Sequence, residues 1–135
     1  MSEQPGTVHE GLAGVVVTRT RLSHVDGERG RLIVAGHDVE DWAARFDFEA
    51  ASQQLWAAAG IEVAELGARL EAARLRAFES LPQLGDALRR EHAMDALRAG
   101  LAHWPEHARP EELVAAAAVY TAAHARLAAG SSPIA

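Results

Sequence analysis

His103 and His107 stand four residues apart, a spacing that puts two imidazoles on one face of a helix and suits a metal ion. Pro105 lies between them and breaks the helix that such a pair needs. They read as surface histidines near a helix end. His92 and Asp95 fall at i and i+3, but His92 marks a helix start and Asp95 occupies the first turn, where the helix dipole favours a carboxylate. Ser23, His24 and Asp26 are the residue types of a nucleophilic triad, yet they are sequence neighbours on a turn, and no oxyanion arrangement follows from them. The carboxylate pairs Glu40-Asp41 and Glu111-Glu112 are helix-start residues. His37 follows a glycine at the end of a strand and suits packing or turn chemistry. His124, on the last helix, is a satisfied polar contact at an interface or a modest pH sensor. These placements lead to no expected catalytic, cofactor-binding or metal-ligating residue, and to no cofactor.

Composition excludes further chemistries. All thirteen basic residues are arginine, so a Schiff-base lysine and a P-loop lysine are both ruled out. No dinucleotide glycine fingerprint is present. The absence of cysteine removes disulfides and thiolate nucleophiles and fits a reducing cytoplasm, the expected location. A net charge of −6, spread along the chain, argues against nucleic acid as a partner. Arg19, Arg21, Arg29 and Arg31 crowd one hairpin, but Asp26 and Glu28 offset them, leaving a solvated face. The first ten residues carry no apolar run of the signal-peptide kind. Leu113 to Ala129 is mostly alanine and too weakly hydrophobic to span a bilayer, so no membrane partner is expected.

The elements that would position these residues are mostly helical. Val15 to Arg21 is β-branched and reads as a strand; Asp26-Gly27 turns it, and Arg31 to Ala35 returns. Asp38 caps a helix over 39–45, and Asp47 caps another over 48–59 that Gly60 ends, with Phe48, Leu55 and Trp56 among its buried residues. A third helix spans 63–78, with an apolar stripe of Val63, Leu66, Leu70, Ala73 and Ala77 and a wet-side pair Glu65–Arg69. A short helix over 84–91 follows the Leu81-Pro82 break. A helix over 93–103 puts Met94, Leu97, Leu101 and Trp104 on one face, and Pro105 ends it. Pro110 opens the last helix, which runs to about Ala129 with almost no polar face. A helix of that kind is normally buried, and this chain has little material to wrap it, which points to a partner chain. The expected organisation is a loose arm over 1–10, one helical domain over 11–130 and a flexible tail over 131–135.

Several stretches resemble one family. GLAGVVVTRTRLSHVDGERGRLIVAGHDVEDWA, from Gly11 to Ala43, is similar to the amino-terminal hairpin and first helix of the citrate synthase family. FDFEAASQQLW resembles its second helix. EHAMDALRAGLA is close to a segment usually reading HPMDALR, with Ala93 in place of the proline. PEELVAAAAVYTAAHARLAAGSSPIA resembles the next helix. The resemblance implies a mostly α fold with a small hairpin, a fragment of the family's large domain. It also implies that 93–103 and 111–129 help build a helical sandwich between subunits, giving an expected interface of Met94, Leu97, Leu101, Leu113, Ala117, Tyr120 and His124. Family enzymes condense an acyl-CoA with a 2-oxo acid, and the histidines, aspartate and arginines that do so match no position here. The expectation is therefore a truncated subunit, not catalytic alone. It would act as a homodimer, or as a heteromer with a family chain carrying the catalytic half. The alternative is a free-standing homodimeric interaction or regulatory protein.

Overall fold

A computed structural model describes residues 19–134, which fall into two compact units divided between Ile61 and Glu62. The first unit carries an antiparallel sheet in the order β1 (Ser23–Asp26), β2 (Arg31–Val34), β3 (His37–Asp38), followed by α1 (Val39–Arg45) and α2 (Phe48–Ala58). β1 lies downstream of the expected strand: Arg19 to Leu22 are irregular, and the part from Val15 to Thr18 lies outside the described residues. The turn sets this register. Asp26 pairs with Arg31 and its Oδ1 accepts the backbone N–H of Arg29 at 3.1 Å, so counting back from the turn puts Ser23, not the valines, opposite Val34. β3 is an element that propensity misses. Its turn is the two-residue loop Ala35-Gly36, with φ of 48° and 85° as a hairpin of this length requires.

α1 begins where its chemistry says it should. Asp38 accepts the N–H of Glu40 at 3.1 Å and pairs with Arg31 Nε at 3.0 Å. The Glu40 backbone bond, with the Arg31 hydrogen bond second, holds the Asp38 carboxyl below its ordinary value. Trp42 is the buried side chain of α1, and the rings of His37 and Phe46 meet it edge-on at 5.5 and 5.9 Å. His37 is thus a packing residue. Asp47 caps α2 through the N–H of Ala50. Phe48, expected inside, is 60% exposed, because the cap places it at the very start of the helix. Val34, Trp42, Phe46, Ala51 and Leu55 leave an apolar groove of about 400 Å³ beside it.

The second unit contains α3 (Leu66–Glu79), two 3-10 turns (Leu81–Leu84 and Ala87–Arg89), α4 (Ala93–Leu101) and α5 (Pro110–Ala128). α3 starts three residues later than expected, because Glu65 sits in the left-handed region at φ 53° and Val63 precedes it. The stripe from Leu66 through Leu70, Ala73 and Ala77 is buried as its spacing requires. The short helix expected over 84–91 is instead the two 3-10 turns, divided at Gly85 with φ 54°. The core joins Ala77, Leu84, Leu88, Ala116, Tyr120 and Ala123, with Leu97, Leu101 and Trp104 packed against it. Gly100 lets α4 approach α5 closely: a Cβ there would lie 2.8 Å from the Tyr120 ring and 3.1 Å from Leu88.

Candidate interaction surface

Glu111, Tyr120 and His124 of α5 point inward, and each has a partner. Ser80 Oγ is 2.7 Å from the Ala77 carbonyl, which can only accept, so the hydroxyl proton lies there. Ser80 Oγ therefore accepts from Tyr120 OH at 2.8 Å, and the phenol oxygen in turn accepts the indole N–H of Trp104 at 2.8 Å. One directed chain of hydrogen bonds thus links α3, α5 and the segment after α4. At the start of α5, Glu111 is 1% exposed and meets both Arg69 Nη1 at 3.3 Å and Arg109 Nε at 3.4 Å. Arg69 is thus engaged across the fold rather than with Glu65, the partner local spacing suggests. Arg76, two turns along α3, reaches Glu112 at 3.0 Å.

Glu112 also accepts the backbone N–H of Arg109 at 2.9 Å. That bond, with the Arg109 guanidinium beside it, holds the Glu112 carboxyl below its ordinary 4.5; the same pairing raises Arg109. A carboxyl depressed in the folded state stabilises fully above its unfolded value, and that contribution is lost as pH falls through the lower folded value. Urea titrations between pH 6 and 3 are therefore expected to show stability falling in the wild type, and falling less steeply in Glu112→Gln below 4.5. Parallel profiles would contradict the pairing.

The expected interface residues do not share one surface. Tyr120 is 1% exposed and belongs to the core of its own unit. Leu97 and Leu101 are half-buried against that core. Met94 is 65% and Leu113 40% exposed, and Ala117 is half-buried on the outer side of α5. His124 is half-buried, with Nδ1 3.0 Å from the Leu88 carbonyl.

What faces outward along α5 is Leu113, Val114, Ala117, Ala118, Thr121, Ala125 and Ala128, at helical spacings of three and four. No charge interrupts this stripe. Its one hydroxyl, on Thr121, donates to the Ala117 carbonyl at 2.7 Å, so the face offers no free side-chain donor. Sequence alone could find the stripe, but not which residues it contains, because that depends on which side α3 and α4 cover. A second apolar feature lies between α3 and α5. Gly130 turns the chain back, Ser131 N–H bonds the Arg126 carbonyl, and Pro133 and Ile134 line a groove of about 340 Å³ with Leu75, Phe78, Val119 and Ala122.

Catalytic constellations do not assemble among the described residues. Ser23 and His24 are consecutive on β1, where alternate side chains leave opposite faces. His103 Nδ1 is 2.8 Å from the Ala99 carbonyl, and no group of three or more His, Asp or Glu side chains is placed to hold a metal among the described residues. No helix among them is long and apolar enough to cross a membrane.

The family model described as citrate synthase, C-terminal domain, matches residues 11–135. The chain belongs to the citrate synthase family. Among its relatives, a citrate synthase of Haloferax volcanii is 39% identical over 51 residues, 38% of this chain and 14% of that protein. A citrate synthase of Mycolicibacterium smegmatis is 46% identical over 55 residues, 41% of this chain and again 14% of the relative. The matched stretches thus cover about one seventh of each relative's length, so the chain corresponds to a fragment of a citrate synthase. No solved structure matches significantly. The mostly helical architecture with its small antiparallel sheet agrees with the citrate synthase assignment.

Proposed function

We propose that this citrate synthase-family chain supplies scaffold and subunit interface to an acyl-CoA/2-oxo acid condensing assembly, and that it is not catalytic alone. The observation that carries this reading is the uncharged outer stripe of α5. Its small side chains allow a second helix to approach closely, and its only polar group is already bonded. Two further observations support it. The citrate synthase family is typically oligomeric. The described residues bring no acid-base pair together, so the condensing chemistry would come from groups elsewhere, on a second chain or on further length of the same polypeptide. The placement at the amino-terminal side of the family's large domain rests on the GHDVEDWA and MDALR segments rather than on the family model's description.

The test is sedimentation velocity of the wild type beside Ala117→Glu, together with co-purification with a citrate synthase-family chain and a thiol-release assay with acetyl-CoA and oxaloacetate. Ala117→Glu would have to desolvate a carboxylate at the interface and is expected to weaken association tenfold or more. An unchanged sedimentation profile would remove the α5 interface. A free-standing homodimeric interaction or regulatory protein is the second reading, favoured by the same stripe. It predicts association of the chain with itself, sensitive to Ala117→Glu, and no activity with any partner.

A further inference from the structure

The carboxy-terminal end of α5 and the second 3-10 turn enclose a pocket of about 160 Å³, lined by Leu88, Arg89, Arg90, His124, Leu127 and Ala128. Its lining includes two arginines and a histidine and, among the described residues, no Asp or Glu. Arg90 makes no ion pair or side-chain hydrogen bond among the described residues. Among the described residues, Arg89 has only a long contact, 3.7 Å, to an Asp86 side chain that is almost fully in solvent.

His124 adds direction. The Leu88 carbonyl can only accept, so Nδ1 carries a proton at 3.0 Å from it. Nε2 has no partner among the described residues. In its Nδ1–H neutral tautomer the ring offers a lone pair at Nε2, where the arginines offer donors. The dipole of α5, which would oppose an anion here, is largely answered. Of its last four carbonyls, Ala125 bonds Ala129 N–H, Arg126 bonds Ser131 N–H and Leu127 bonds Gly130 N–H.

We infer that this pocket binds a phosphate group, either free or as the terminal monoester of a small ligand. Guanidinium forks match phosphate oxygens, and Nε2 accepts the proton of a hydrogen phosphate or of a protonated monoester. The site stands apart from the association reading, since none of its lining residues belongs to the outer stripe except Ala128.

The experiment is an NMR titration of the full chain, following arginine side-chain N–H and histidine ring signals. The probes are inorganic phosphate, a sugar phosphomonoester, sulfate and chloride at matched ionic strength. Phosphate is expected to bind saturably, with shifts centred on Arg89, Arg90 and His124. Arg90→Gln is expected to weaken it tenfold or more without moving the thermal midpoint, whereas Arg98→Gln, on the exposed face of α4, leaves it unchanged. Tighter binding of the monoester would identify a ligand's terminal phosphate, and tighter binding of phosphate the free ion. Sulfate has no proton to give Nε2 and is expected to bind more weakly. Non-saturable shifts, equal shifts with chloride, sulfate binding as tight as phosphate, or equal losses in the two arginine variants would each overturn the site. Sedimentation of Arg90→Gln separates the two proposals: association should survive the loss of phosphate.

Discussion

Tyr120→Ala is expected to cost about 3–5 kcal/mol, a large share of the stability of a chain this size. The ring is 1% exposed, lies against Gly100 and Leu88, and its hydroxyl joins Trp104 to Ser80. Removing it opens a cavity in the middle of the second unit and takes the acceptor from the indole N–H. Tyr120→Phe separates the two effects. It keeps the ring and deletes the hydroxyl, and should cost about 1–3 kcal/mol. The lower end is expected, because Trp104 is half-buried and can reach water. Urea unfolding followed by tryptophan fluorescence reads both. Alanine and phenylalanine variants of equal stability would show that the hydroxyl carries everything, and losses under 1 kcal/mol for both would displace Tyr120 from the core.

Gly100→Ala should destabilise the chain although alanine is the better helix former by about 1 kcal/mol. The new Cβ would sit 2.8 Å from Tyr120 Cδ2, closer than carbon atoms approach, and 3.1 Å from Leu88 Cδ2. The Leu88 methyl can yield, but the Tyr120 ring is held at its hydroxyl and cannot swing away without breaking the bonds to Trp104 and Ser80. Overpacking of this kind costs about 1–3 kcal/mol net. The sign is expected to reverse in a Tyr120→Leu background, where no ring meets the Cβ and helix propensity decides. A double-mutant cycle between the two positions measures this directly, and additive effects would mean that α4 and α5 are not in the contact described.

Local chemistry made several elements legible in the sequence. Asp38 and Asp47 cap α1 and α2, and Pro110 opens α5, because each signal acts within one turn of the residue that carries it. The stripe of α3 was readable for the same reason. Features that depend on distant partners were not. The register of β1 follows from the Asp26 turn rather than from the β propensity of the valines. Arg69 has a plausible neighbour in Glu65, yet Glu111 holds it. The nearly apolar composition of α5 does not tell its two sides apart, and the inner side carries Glu111 and Tyr120 with their partners. The outer side is the bare one. Hydrophobic periodicity cannot see that inversion, because it counts polar residues without knowing which of them are bonded.

The ties between α3 and α5 have a kinetic consequence. Arg69–Glu111, Arg76–Glu112 and Ser80–Tyr120 span 42, 36 and 40 residues. Closing a loop of that length carries an entropic penalty of about 3 kcal/mol from its length dependence alone. No single one of these contacts offsets that penalty, but once one forms the others close almost without further loss of chain entropy. The contacts lie in one file along α3 and its C-cap, at positions 69, 76 and 80. The β1–β2 turn, by contrast, closes over four residues, from Gly27 to Gly30, and can form early and independently. The ribosome must deliver the first turn of α5 before Arg69 and Arg76 meet their partners, and Tyr120 before Ser80 does. Until then, the stripe from Leu66 to Ala77, buried in the folded unit, has no α5 to cover it.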